Sequence, residues 1–175
     1  RVLDEYMYRL KDSFIGRAAE ETFVPTDWRV SAGDYGPDIK TETTLIVVDD
    51  DIQTTDALRL QLSHFGYKVV VSNDMTELPG LLEVEAPAAL ILDISFPGDP
   101  MAGINMAKTL RSERKLNCPL LFISVREDLE VKLEAVRAEA DAYFPKPIVL
   151  TDLMNSLDQL INPDKEDAFR VVVVD

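Results

Sequence analysis

Thr44-Leu45-Ile46-Val47-Val48-Asp49-Asp50-Asp51 is a short apolar run, largely β-branched, that breaks off into three consecutive aspartates. With no polar alternation and too few residues for a helix, Leu45 to Val48 predicts a strand buried on both faces. The next segment has a different period. Ile52 to Phe65 carries Leu58, Leu62 and Phe65 at helical spacing, and Gly66 stops it. Strand, acidic turn and helix form one unit, and the chain repeats it.

Tyr67 to Val71 is the second predicted strand. Met75 to Val84 is the second helix, opened by Asn73 or Asp74 as cap and distorted by Pro79. A strand from Ala88 to Leu92 ends at Asp93, and a helix runs from Ile104 to Arg114. The fourth strand, Leu120 to Ile123, ends at Ser124 and precedes a helix over Asp128 to Ala140. Ala142 to Phe144 is a short fifth strand ending at Lys146, and Leu150 to Ile161 is the last helix. Five strands alternating with five helices predict an α/β fold, a doubly wound parallel sheet covered on both faces. Ligands of such sheets sit beyond the carboxyl ends of the strands, so the polar residues at those ends belong to one site.

The flanks read differently. Leu3, Tyr6, Met7, Leu10, Phe14 and Ile15 mark one face of an amphipathic helix. The stretch from Val24 to Thr44, with Pro25, Gly33, Gly36 and Pro37, reads as a linker or wrap in which Trp28 and Tyr35 pack on something. Residues 1–42 are therefore an N-terminal helix and linker, and 43–162 the core-bearing domain. Within 163–175, Arg170-Val171-Val172-Val173-Val174-Asp175 repeats the pattern of Thr44 to Asp49, as the first strand of a second, similar domain would. A start at Arg1 and an end on a strand-like run are what a fragment would show.

Composition narrows the function. The 175 residues carry a net charge of -14, which argues against a nucleic-acid surface, since phosphate binding needs clustered Lys and Arg. Apolar runs fall far short of the roughly 20 residues of a membrane helix. One cysteine, Cys118, permits no internal disulfide and fits a reducing cytoplasm as a core thiol. His64, near the end of the first helix, suits that helix's dipole.

The strand ends carry the chemistry. Asp49 and Asp50 end the first strand, Asp93 the third, Ser124 the fourth and Lys146 the fifth. Carboxylates brought together repel unless neutralised. A hard divalent cation such as Mg2+ does so and keeps positions open for a phosphate oxygen. A carboxylate can attack phosphorus and form an acyl phosphate. The metal, the Lys146 ammonium, and the Ser124 hydroxyl with nearby backbone N–H groups would then meet the three phosphoryl oxygens.

Four motifs stand in order at these ends: Val47-Val48-Asp49-Asp50, Leu90-Ile91-Leu92-Asp93, Phe122-Ile123-Ser124 and Tyr143-Phe144-Pro145-Lys146-Pro147. Asp50 and Asp93 are 43 apart, Ser124 and Lys146 22 apart. Together they resemble the receiver domain of two-component response regulators over about 120 residues. The resemblance implies the flavodoxin-like strand order 2-1-3-4-5 and a phosphorelay switch. Asp93 would accept the phosphoryl group, and Asp49, Asp50, Asp93 and the Ser95 backbone carbonyl would hold Mg2+. Lys146 would pair with the phosphate through a strand end closed by a cis Lys146–Pro147 bond. Ser124 and Tyr143 would be the switch pair. The implied partner is a histidine kinase or histidine phosphotransfer protein, with homodimerisation through the last two helices or the N-terminal helix. No turnover is expected beyond phosphorylation and dephosphorylation of Asp93 itself.

Three features depart from the family pattern. The loop from Ile94 to Gly103 reaches its glycine two residues late, Val125 stands where a small residue is expected and would narrow access to the phosphate, and Pro145 stiffens the last strand end. Two other readings compete. A degenerate receiver would act only as a dimerisation or spacer module. A haloacid-dehalogenase-type phosphatase would use Asp49-Asp50-Asp51, but Gln53 replaces the expected Thr or Val and no cap insertion is evident. Asp51 also reads as a plain helix cap.

Overall fold

The computed structural model describes residues 42–163. The helix expected over 3–15, Trp28 and Tyr35, and the strand expected over 170–174 lie outside the described residues.

Hydrophobic continuity is realised as a five-stranded parallel sheet. β1 (Thr44–Val48) lies between β2 (Lys68–Ser72) and β3 (Ala89–Asp93), and β4 (Leu120–Ser124) and β5 (Ala142–Pro145) follow, in the order β2-β1-β3-β4-β5. This is the strand order the resemblance implied. Every residue of β3 and β4 is buried, as are Leu45 to Val48 of β1, whereas the edge strand β2 is mostly half-buried.

Alternate residues serve opposite layers. Ile46, Val48, Leu90, Leu92, Leu120 and Phe122 share one core with α2 (Leu78–Glu85), α3 (Ala102–Ser112) and α4 (Leu129–Arg137). The other face meets α1 (Ile52–His64), against β1 and β2, and α5 (Leu150–Ile161), against β3. Cys118 packs at the edge of the first core, and burial pushes its thiol up to about 11.

The second helix differs from expectation. A 3-10 turn over Met75–Glu77, capped by Asp74 rather than Asn73, leads into α2. Pro79 stands in the first turn of α2, where the missing N–H would have had no helical partner, so it starts the helix rather than distorting it. α3 begins two residues early, at Ala102. α4 is shorter than Asp128 to Ala140: Asp128 is its cap, accepting the Val131 N–H, and the chain leaves the helix at Ala138 and turns through Glu139 at φ 59°.

α4 buries Val131 and Ala135 and leaves Leu129, Leu133 and Val136 exposed on its outer side. α5 buries Leu153, Met154 and Leu157, and its Leu160 is half-buried. The apolar patch therefore lies on α4. Among the described residues, no helix is long and apolar enough to cross a membrane.

Candidate functional site

Sheet register decides which side chains meet. Val48 pairs with Leu92, Leu92 with Phe122, and Ser124 with Pro145. The residues that end β1, β3, β4 and β5 thus emerge along one edge. The carboxylates of Asp49, Asp50 and Asp93 can each offer an oxygen within 4.8 Å of the others. Lys146 joins them, its Nζ 2.6 Å from Asp49 Oδ2 and 3.3 Å from Asp93 Oδ2. The Lys146 N–H donates to the Ser124 carbonyl at 2.8 Å, and the Lys146–Pro147 peptide is cis.

Asp51 does not join this group. It is exposed, caps α1 by accepting from the Gln53 N–H and the Thr54 hydroxyl, and is held below the usual carboxylate range by those two bonds, the hydroxyl first. The Asp-x-Asp pattern of the phosphatase reading is thereby divided: Asp49 faces the cluster and Asp51 the helix.

Two negative charges are buried here against one ammonium. Burial first, then the Asp49 charge, push the Asp93 carboxyl up to about 6, while Lys146 pulls the other way. Burial disfavours the Lys146 ammonium, but the Asp49 and Asp93 carboxylates outweigh it and raise its pKa. Asp49 Oδ2 is buried and lacks a well-aligned hydrogen bond; the close Lys146 contact is an ion pair without that alignment. An excess of negative charge on three hard oxygen donors, one with an uncovered lone pair, suits a hard divalent cation.

The long loop after Asp93 keeps the site intact by folding on itself. Phe96 and Asp99 exchange both backbone hydrogen bonds across Pro97-Gly98, with Gly98 at φ 84°, and Ser95 Oγ donates to the Pro100 carbonyl at 3.0 Å. The two extra residues are absorbed in that hairpin. Gly103 still docks beside Asp93: its N–H donates to the Ile94 carbonyl at 2.9 Å, and a Cβ there would lie 2.0 Å from the Asp93 carbonyl oxygen. Val125 is 71% exposed, so its methyls stand at the rim of the site rather than inside it.

Ser124 and Tyr143 meet through a residue that sequence reasoning missed. The Arg126 N–H donates to Ser124 Oγ at 3.0 Å, and the Tyr143 hydroxyl donates to the Arg126 carbonyl. The Arg126 guanidinium pairs with Asp128, the cap of α4, at 3.0 Å and touches Met101 Sδ at 3.6 Å. Burial raises the Tyr143 pKa, and the Lys132 ammonium lies 5.9 Å from the ring centroid. Asn73, just past β2, was read only as a possible helix cap, yet its Nδ2 donates to the Asp49 carbonyl at 2.8 Å. It was discoverable by asking of the second strand end what was asked of the other four.

The family model described as the response regulator receiver domain matches residues 45–158. The response regulator MprA of Mycobacterium leprae (strain TN) is 32% identical over 123 residues, covering 70% of this chain and 53% of that protein. MprA of Mycobacterium bovis (strain BCG / Pasteur 1173P2) is 33% identical over 125 residues, covering 71% and 53%. The chain thus spans about half the length of the curated relatives it matches. Among solved structures, the receiver domain of the Francisella response regulator 1452 superposes with a TM-score of 0.64 at 23% identity, over 70% of this chain and 99% of that one. A CheY-like receiver domain protein from Methanospirillum hungatei JF-1 gives 0.64 at 23%, over 73% and 99%. At these identities the structures speak to the fold alone.

Proposed function

The chain belongs to the response regulator receiver family, a family of phospho-accepting two-component signalling switches, and from that premise we propose that Asp93 is its phosphorylated residue. The observation that carries this is the convergence of Asp49, Asp50 and Lys146 on Asp93 at the carboxyl edge of the sheet.

An Asp93 carboxylate oxygen attacks the phosphorus of a phosphohistidine donor. An O–P bond forms as the N–P bond breaks, and the electron pair of the broken bond leaves with the imidazole. With its pKa near 6, Asp93 is ionised for this attack at neutral pH. Asp49, Asp50 and Asp93 would hold Mg2+ together with the Ser95 carbonyl, and the bound cation supplies positive charge against the phosphoryl oxygens. Lys146 stays charged and pairs with the same group. Ser124 leaves the Arg126 N–H to bond a phosphoryl oxygen, and Tyr143 shifts with it because both are tied to the Arg126 backbone. The change reaches α4 through Asp128.

The donor is a histidine kinase or histidine phosphotransfer protein in the cytoplasm. The exposed Leu129, Leu133 and Val136 of α4 form a modest apolar patch rimmed by charge, suited to a transient homodimer or partner contact. No phosphate ester is turned over, and neither the passive module nor the phosphatase is favoured by family or fold.

The test is modification by acetyl phosphate, or binding of beryllofluoride, in Mg2+. Wild type should respond and Asp93→Asn should not; labelling that persists in the variant removes Asp93 from the role. Hydrolysis of p-nitrophenyl phosphate with turnover would revive the phosphatase reading.

A further inference from the structure

Two of the three carboxylates are held directly. Asp49 Oδ1 accepts the Asp51 N–H at 2.9 Å and Oδ2 faces Lys146, while Asp93 is buried at the end of β3. Asp50 is exposed, one residue past the buried Asp49. Its carboxylate is aimed by the main chain that carries it, the Asp49–Asp50 peptide.

The preceding peptide is already tied into the sheet, its Asp49 N–H donating to the Ser72 carbonyl at 3.2 Å, and the Asp49–Asp50 peptide is gripped from the end of β2. Asn73 Nδ2 donates to the Asp49 carbonyl at 2.8 Å and to Thr55 Oγ1 at 3.0 Å. Thr55 Oγ1 commits its own proton to the Ile52 carbonyl at 3.1 Å, so it can only accept from Asn73. A carbonyl oxygen is likewise an acceptor alone, and the two N–H bonds of one amide nitrogen match both partners. The turn that presents Asn73 is itself fixed: Ser72 Oγ accepts the Asp74 N–H at 3.1 Å and bonds the Glu77 carboxylate, and Asp74 caps the 3-10 turn. Segments 24 and 18 residues from Asn73 are thus joined at one side chain.

We propose that Asn73 is a positioning residue for the cation site: by fixing the plane of the Asp49–Asp50 peptide it sets the direction of the Asp50 carboxylate. The proposal rests on the reading of Asp49, Asp50 and Asp93 as cation ligands. Asn73 touches no ligand atom and acts through the backbone, as residues that orient metal ligands commonly do.

The experiment is Mg2+ titration by calorimetry at pH 7.5, on the whole chain, for wild type, Asp50→Ala, Asn73→Ala and Asn73→Asp, with thermal unfolding in EDTA and in Mg2+ alongside. Asn73→Ala should raise the Mg2+ dissociation constant about tenfold and shrink the Mg2+-induced rise in melting temperature. Asn73→Asp keeps the shape of the side chain, should it be needed because the alanine variant fails to fold. It also places a new negative charge near the cation, so simple electrostatics would tighten binding. Loss of the two donors instead lets the peptide turn away, and weaker binding is expected. Wild-type affinity in both Asn73 variants, or tighter binding in Asn73→Asp, overturns the positioning role while Asp50→Ala still reports on the site. A wild type that takes up no Mg2+ overturns both the role and the ligand assignment.

Discussion

Asp93→Asn should make the metal-free domain more stable at neutral pH than the wild type, because the wild type buries a charge it cannot fully neutralise. The Asp93 carboxyl sits at about 6 in the fold against 3.8 in an unperturbed chain, through burial and the Asp49 charge. Below about pH 4 both folded and unfolded states keep the proton, and the residue contributes no pH dependence. Between about pH 4 and 6 the unfolded state releases it while the fold retains it, so the unfolded state binds fewer protons and wild-type stability falls as pH rises. Above about pH 6 the cost is complete. At ~1.4 kcal/mol per pH unit its ceiling is ~3 kcal/mol, and screening at a site open to solvent beside Asp50 reduces this to ~1–2 kcal/mol. The neutral amide of the Asp93→Asn variant escapes that cost, and Lys146 retains Asp49 at 2.6 Å. Urea unfolding in EDTA at 25 °C, from pH 4 to 8, should show the two proteins nearly equal at the acid end, diverging up to about pH 6 and parallel beyond. For a domain of this size ~1–2 kcal/mol corresponds to a melting temperature higher by roughly 4–8 °C at pH 7.5. Millimolar Mg2+ should narrow the gap, since a cation that binds only the folded wild type stabilises it by mass action. If Asp93→Asn is no more stable than wild type at pH 8 in EDTA, the site is not under the electrostatic load described.

Other outcomes test separate parts of the site. Asp50→Ala should lose most Mg2+ binding in a calorimetric titration, since the remaining carboxylates leave the hard-oxygen shell incomplete; an unchanged isotherm contradicts the shell. Gly103→Ala should cost at least ~3 kcal/mol in urea unfolding, because a Cβ 2.0 Å from the Asp93 carbonyl forces backbone apart. Val125→Ala should be phosphorylated by acetyl phosphate at the wild-type rate, because the side chain stands exposed at the rim of the site; a faster variant would show that its methyls narrow the approach to Asp93 after all. Beryllofluoride should alter the near-ultraviolet signal of Tyr143 in wild type and much less in Ser124→Ala; a silent wild type would favour the passive module.

Local sequence pattern was enough for the architecture. Apolar runs such as Leu45 to Val48 and Leu120 to Ile123 can be satisfied only where both faces of a strand are covered, and between them the period changes to that of helices. Strand ends then had to converge, which singled out Asp49, Asp50, Asp93, Ser124 and Lys146 from the sequence alone. Pro79 was misjudged because a helix boundary depends on the turn before it: the Asp74-capped 3-10 turn moved the start of α2 to Leu78.

Tertiary structure alone decided which side chains touch. That Asp51 serves α1 and Asp49 the cluster, that Arg126 bridges Ser124 and Tyr143, and that Asn73 holds the Asp49 carbonyl all depend on how the chain is folded around the strand ends. So does the exposure of Leu129, Leu133 and Val136, whose spacing would equally suit a face turned to the sheet. Periodicity records which face of an element avoids water, because burial depends mainly on area. A hydrogen bond is short and directional, and its existence is settled only when folding brings two particular atoms within about 3 Å.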